Sequence, residues 1–263
     1  MNTKGKVKRS RLRVKDKKKI LLVGVTVLMV LLCFTSTFFV IRSFLKVKTF
    51  ELSGITQYDK STLAGASGIN IGDRIYAADL DAAEQRILEQ FPYIQNIKIE
   101  RTLTGKIIFR VEERTASWYM QVSGDYYALD ATLKVIEETP KNDKFVQGGV
   151  TYLVLPNLKM LMCGSVPEFG NDDVEVIKTL ELISAIQSDP LKTRITSLDI
   201  ESRFNVYLVI DGIYNVYIGD MSNVSEKLLV IGELLSSGDL LEFAGADIDV
   251  SNPETMFVNP KYQ

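Results

Sequence analysis

The 263 residues include no histidine, two cysteines, seven prolines and one tryptophan. Without histidine the chain lacks the commonest general base, proton shuttle and zinc ligand at once. Cys33 falls inside a long apolar run and Cys163 lies far along the body, so no intramolecular disulfide is expected. A fold of this length can rely on its core instead. With 46 % hydrophobic and 24 % charged residues, the composition is globular rather than disordered. Positive charge is scarce outside the first 19 residues. Those hold ten Lys or Arg against one acid, Asp16, a net of +9, while residues 42–263 hold 21 basic and 32 acidic residues, a net of −11. An acidic body excludes nucleic acid as its main ligand, because phosphate binding needs a positive surface there.

What is present begins with an uncharged run. Ile20 to Ile41 carries no charge over 22 residues. At 1.5 Å per residue such a helix is about 33 Å long, enough to cross a hydrocarbon core of about 30 Å. Lys15, Lys17, Lys18 and Lys19 crowd its first edge, against Arg42, Lys46 and Lys48 at the other. The positive-inside rule then predicts a cytoplasmic N-terminus and an exported body. A cleaved signal peptide would have a shorter apolar core and a small-residue cleavage site. Thr35-Ser36-Thr37-Phe38-Phe39-Val40 offers none. The basic leader, residues 1–19, reads as a topology determinant touching lipid headgroups.

The body divides by pattern into two parts. In the first, residues 46–114, Val47–Leu52 reads as a strand with Phe50 and Leu52 on one face. Asp59 caps a short helix that stops near Gly68, and Asp79 precedes a second helix in which Leu80, Ala83, Ile87 and Phe91 share a face before Pro92. Strands follow at Ile94–Arg101 and Lys106–Glu112, with Thr104-Gly105 between them. Phe50, Ile97 and Phe109 are expected to be buried together. The second part, residues 115–252, is β-rich, with a flexible tail expected over 253–263. Strands are predicted at Trp118–Val122, Tyr126–Leu129, Leu133–Ile136 and Thr151–Leu155, with a looser stretch at 137–149. Val174, Ile177, Leu180, Ile183 and Ile186 form a helical stripe ending before Pro190. Phe204 to Ile210 alternates into a hairpin at Asp211-Gly212, the strongest turn signal in the chain, and on into Tyr214, Val216 and Ile218. Met221, Val224, Leu228, Ile231 and Leu235 mark another helix, with Asn223 and Glu226 as a capping box and Gly238 as its stop. Ala246–Val250 is the last predicted strand. The fold class is therefore α+β: a membrane helix at 20–41, a small β-α-α-β-β domain, then a β-rich mixed domain.

That strand, helix, helix, strand, strand order directly after a membrane helix resembles a POTRA domain. The matching residues are Val47-Lys48-Thr49-Phe50-Glu51-Leu52-Ser53-Gly54, Gly68-Ile69-Asn70-Ile71-Gly72-Asp73, Phe91-Pro92-Tyr93-Ile94 and Val111-Glu112-Glu113-Arg114. A short leader, one anchor, a POTRA-like unit and a β-rich unit resemble the layout of the FtsQ/DivIB family of bacterial cell-division proteins. Ala128-Leu129-Asp130 and Leu155-Pro156 are similar to two further family elements. The chain departs from the pattern at Leu133, where Gly is expected, at Thr115, and at Ser251.

The resemblance implies a non-enzymatic scaffold at the division septum, single-pass in the cell membrane. It would bind FtsL and DivIC/FtsB-type partners that regulate septal peptidoglycan synthesis. A strand at the end of a sheet exposes unpaired backbone groups to which a partner segment can add. Ala246–Val250 is the candidate edge, with Phe243, Asp247, Ile248, Asp249 and Val250 as candidate partner-binding residues. The alternative there is an ordinary terminal strand blunted by Asp247 and Asp249. No cofactor, metal or small-molecule substrate is expected. Glu112 and Glu113 alternate faces on a strand and cannot flank one glycosidic bond. Asp172-Asp173 sits where a helix start favours acids, and Cys163 has no histidine to activate it. Gly148-Gly149 and Gly68-x-x-x-Gly72 lack the Lys-Ser/Thr of a phosphate loop. A glycan-binding or sensor module is the alternative function. It would need an aromatic groove, for which Trp118, Tyr119, Tyr126 and Tyr127 are the available side chains.

Overall fold

The computed structural model describes residues 14–54, 57–156, 158–170 and 173–262. Most of the basic leader, Asp172 and Gln263 lie outside the described residues. The protein is mixed α+β, with an N-terminal apolar helix followed by a small three-stranded sheet and a large nine-stranded one. Its contacts divide the chain into two compact units, residues 1–53, 58–83 and 99–110 in one and 54–57, 84–98 and 111–263 in the other.

Helix α1 (Val14–Phe44) contains a span, Lys18–Val40, of mean hydropathy 2.5. None of that span is buried by the protein itself, as expected of a segment whose solvent is lipid rather than water. Strand β1 (Thr49–Ser53) follows, with Phe50 and Leu52 half-buried between exposed neighbours. Helix α2 (Lys60–Ser67) is capped by Asp59, whose carboxylate accepts from Thr62 N at 2.7 Å, and ends at Gly68 in the left-handed region. Helix α3 (Leu80–Gln90) starts at Asp79, which accepts from Ala82 N at 3.1 Å, and buries Ala83 and Ile87. Strands β2 (Ile94–Arg101) and β3 (Lys106–Glu113) complete a sheet ordered β1-β3-β2, with β1 parallel to β3. Phe109 is fully buried and stacks on Phe50 at 5.8 Å between ring centroids. Gly54 closes β1 with φ of 112°, and a Cβ there would lie 2.2 Å from Val111 O, so no larger residue fits this turn.

The large sheet runs β14-β13-β12-β11-β10-β7-β4-β5-β6. Its strands are β4 (Trp118–Val122), β5 (Asp125–Leu129), β6 (Val135–Thr139), β7 (Thr151–Val154), β10 (Ile195–Ser202), β11 (Asn205–Ile210), β12 (Tyr214–Gly219), β13 (Gly245–Asp249) and β14 (Phe257–Lys261). A separate hairpin pairs β8 (Leu158–Met160) with β9 (Glu168–Phe169). On one face, α5 (Asp173–Ser188), a 3-10 turn (Pro190–Thr193) and α6 (Val224–Ser237) close the main core. On the other, the short helix α4 (Asp143–Gln147) places Phe145 in a second cluster with Tyr119, Ala128 and Ile136. That helix lies in the stretch expected to be loose.

Several local expectations are corrected. The stripe on α5 is split: Ile183 and Ile186 are buried with Leu182, whereas Val174, Ile177 and Leu180 are exposed. Apolar residues cover more than one side of this helix, so spacing alone does not choose the core side. Asn223 sits in the left-handed region and makes no side-chain cap bond, so the capping box does not form. Instead Lys227, 1 % exposed, drives its ammonium back to Asp220 O at 3.0 Å and Asp220 Oδ1 at 2.8 Å. The tail expected to be flexible after Pro253 carries β14, which pairs antiparallel with β13 from Gly245↔Lys261 to Asp249↔Phe257.

The Asp220 contact makes a pH prediction. Hydrogen bonds from Lys227 and Ser222 hold the Asp220 carboxyl down from 3.8 to about 2. A depressed carboxyl contributes stability above its unfolded value and loses it as pH falls through the folded one. Melting curves of the parent and of Asp220→Asn are therefore expected to differ near neutral pH and to converge between pH 3.8 and about 2. A gap that persists at the acid end would assign the effect to something other than this carboxylate.

Candidate functional site

Strand register builds a composite surface on the face of β11–β14 opposite the main core. Tyr207 pairs with Tyr217, Tyr217 with Asp249, and Asp249 with Phe257, giving one row across four strands. Val209, Asn215, Asp247 and Asn259 form the next row. Because side chains alternate along a strand, each row holds the residues left over when Leu208, Val216 and Ile248 turn into the core. A concavity of about 540 Å³ lies over these rows. The rings of Tyr207 and Tyr217 are 5.0 Å apart, and Phe257 is 67 % exposed.

The surface is acidic. Asn215 Nδ2 donates to Asp247 Oδ1 at 2.7 Å and Lys261 Nζ lies 2.5 Å from the same oxygen. These bonds, Lys261 first, pull the Asp247 carboxyl below its usual range. Asp249 accepts from Ser251 N at 2.9 Å. On β10, burial and then the charge of Glu201 push the Asp199 carboxyl up, and Asp199 Oδ1 is buried without a partner among the described residues. Burial and the same Glu201 charge raise Tyr207. Aromatic rings beside the Asp247 and Asp249 carboxylates suit a partner segment that brings apolar and basic side chains together.

The five residues expected from sequence divide sharply here. Asp247 and Asp249 lie on the open face. Ile248 (2 % exposed) and Val250 (0 %) belong to the core and present no side chain to a partner. Phe243 is half-buried against Tyr262, edge to face, with centroids 5.4 Å apart. The expected edge is also corrected: β13 lies between β12 and β14, so β14 is the edge strand. Ala244 N donates to Lys261 O at 2.9 Å, which turns the backbone groups of Lys261, Asn259 and Phe257 toward β13. The alternate residues, Val258 and Pro260, turn theirs outward. Proline thus occupies the one kind of sheet position that tolerates it, where its missing N–H faces away from the ladder. Val258 N–H is left as the outward donor within the strand.

Other candidates take structural roles. Trp118 and Tyr119 are core residues, and Tyr119 packs on Phe145 and Tyr152 at 5.5 and 5.1 Å, so their rings are committed to packing rather than to a ligand. Among the described residues no group of three or more His, Cys, Asp or Glu is placed to hold a metal. Both cysteines are free, and burial followed by Glu138 and Glu137 pushes the Cys163 thiol up, away from the reactive thiolate. Two motif ends meet: Arg114 Nη1 binds Asp130 Oδ2 at 2.5 Å. Burial alone would raise the Asp130 carboxyl, but hydrogen bonds from Thr132, Arg114 and Lys134 hold it low. Leu133 sits at φ 64°, a left-handed position that favours glycine, which gives a physical meaning to the departure there.

An apolar helix, a β-α-α-β-β unit and a large sheet open on part of one face define the class of an anchored protein with a POTRA domain. The family model of the POTRA domain, FtsQ-type, matches residues 45–114. The cell division protein DivIB of Clostridium botulinum (strain Hall) is 26 % identical over 250 residues, covering 94 % of this chain and 91 % of that protein. DivIB of Clostridium tetani is 26 % identical over 204 residues, 76 % of this chain and 71 % of the relative. The cell division protein FtsQ of Corynebacterium glutamicum is 24 % identical over 219 residues, 82 % of this chain and 89 % of the relative. The FtsQ-type POTRA match and these relatives along most of the chain support placing it with the FtsQ/DivIB cell-division proteins.

Proposed function

We propose that this chain is a non-enzymatic, membrane-anchored scaffold of the bacterial division machinery, with its N-terminus cytoplasmic and its body outside. It binds partners of the FtsL and DivIC/FtsB type at the septum and helps to assemble or regulate septal peptidoglycan synthesis. The relationship to DivIB along 94 % of the chain carries this reading. The free edge of β14 beside an acidic, aromatic sheet face supports it, because backbone pairing and side-chain anchoring are then available together.

Strand addition at β14 makes a sharp expectation. A partner strand would bond to Val258 N–H and to the outward carbonyls, so Val258→Pro removes the donor without breaking the ladder to β13. Full-length protein in detergent is expected to capture the partners' extracytoplasmic segments, Val258→Pro to lose that capture, and Asp247→Ala to lose little, since its ion pair is exposed. Melting curves establish that each variant is folded. Undiminished capture by folded Val258→Pro would move the site off this edge, and failure of the parent to capture any such partner would sink the scaffold reading.

A further inference from the structure

Ile71 and Leu103 are large apolar side chains, 68 % and 75 % exposed, at the tips of two separate loops. Single exposed apolar residues are ordinary. These two are distinguished by what holds their loops. Ile75 N donates to Leu45 O at 2.9 Å, Gly72 N to Val47 O at 2.8 Å, and Val47 N to Asp73 O at 2.9 Å. Lys46 bridges Arg74 in antiparallel fashion. On the other side, Lys48 N donates to Gly105 O at 2.7 Å. Gly105 has φ of 92°, and a Cβ there would come within 2.6 Å of Lys46 O, so the Leu103 turn lies directly against the same segment. Both tips are thus tied to residues 45–48.

That segment directly follows the membrane-length helix. The apolar span ends at Val40 and α1 at Phe44. Residues 41–44 add about 6 Å of helix, comparable with the roughly 5–7 Å of headgroup on each side of a bilayer. Residues 45–48 and the loops bonded to them therefore emerge at headgroup level. Their charge fits that level. Over residues 45–48, 70–75 and 102–105, Lys46, Lys48 and Arg74 stand against Asp73 alone, a net of +2 within a body whose net is −11. Basic residues at a lipid surface are drawn to anionic headgroups, and exposed aliphatic tips enter the interface below them.

We propose that the Ile71 and Leu103 tips dock on the surface of the bilayer that α1 crosses, with Lys46, Lys48 and Arg74 meeting anionic lipid headgroups; this rests on the reading of α1 as the anchor. Docking fixes the first unit against the membrane at three places instead of one tether.

The test uses full-length protein with Cys33→Ala and Cys163→Ala, reconstituted in vesicles of phosphatidylcholine and phosphatidylglycerol. A single new cysteine at Ile71, Leu103 or Val27 carries an environment-sensitive fluorophore, and lipids spin-labelled near the top of the acyl chain act as quencher. Labels at Ile71→Cys and Leu103→Cys are expected to lose emission several-fold, and less in phosphatidylcholine alone. With the Val27→Cys label quenched by deep spin labels, unquenched tips would overturn the proposal. An unquenched Val27→Cys label would overturn the anchor reading itself. Equal tip quenching in neutral vesicles would overturn the part assigned to the basic residues.

Discussion

Phe109→Ala is expected to cost about 3–5 kcal/mol, the range for removing a buried phenylalanine and leaving a cavity. Phe109 is fully buried on β3, the middle strand of a three-stranded sheet, and stacks on Phe50 with an interplanar angle of 18°. Phe50 is half-buried, so its ring can shift only partly into the space left behind. Small domains have roughly 5–15 kcal/mol in total, so the loss takes most of the local stability. Hydrogen exchange of β3 amides in the full-length protein reads this directly, because about 1.4 kcal/mol is tenfold in protection. A fall of about two to four decades is the expected result. A fall below about tenfold would mean that the Phe109 side chain is not what holds β1 on β3.

The elements legible in the sequence are those whose ends carry their own chemistry. Asp59 and Gly68 bound α2 because a carboxylate satisfies the first free N–H groups and glycine accepts the left-handed exit. Asp211 and Gly212 take φ of 52° and 74°, as a tight hairpin between β11 and β12 demands, and the alternation on either side follows. The rows of the open face were implicit in that alternation, since burying Val206, Leu208 and Ile210 leaves Tyr207 and Val209 on the far side. The illegible parts depend on tertiary partners. The stretch 253–263 reads as a flexible tail, yet it carries β14, where Pro260 is tolerated because its side of the strand has no neighbour among the described residues. Lys227 of α6 is buried only because the fold supplies the Asp220 carbonyl and carboxylate. Because nothing in the pattern after residue 252 announces β14, Ala246–Val250 reads as the last strand and its core residues Ile248 and Val250 read as partner-binding ones.

Ile248→Pro shows what that displacement by one strand means physically. On an edge strand, proline would remove a bond offered to a partner. On β13 it strikes the interior of the sheet. Ala246 N and Val250 N both donate toward the β12 side, to Ile213 O just before the strand at 3.4 Å and to Tyr217 O within it at 2.9 Å, so the N–H of Ile248 between them turns the same way. Proline there deletes a ladder bond in the parallel β12–β13 pair and sets its ring against the neighbouring strand. It also removes a side chain that is 2 % exposed in the main core. The combined cost is expected to exceed about 3 kcal/mol, with β13 and β14 losing their exchange protection together. Loss of partner capture by this variant would therefore report unfolding, whereas Val258→Pro reports the edge. Comparing the two melting curves tests the assignment. A native-like transition for Ile248→Pro would place β13 at the edge after all and return the binding strand to 245–249.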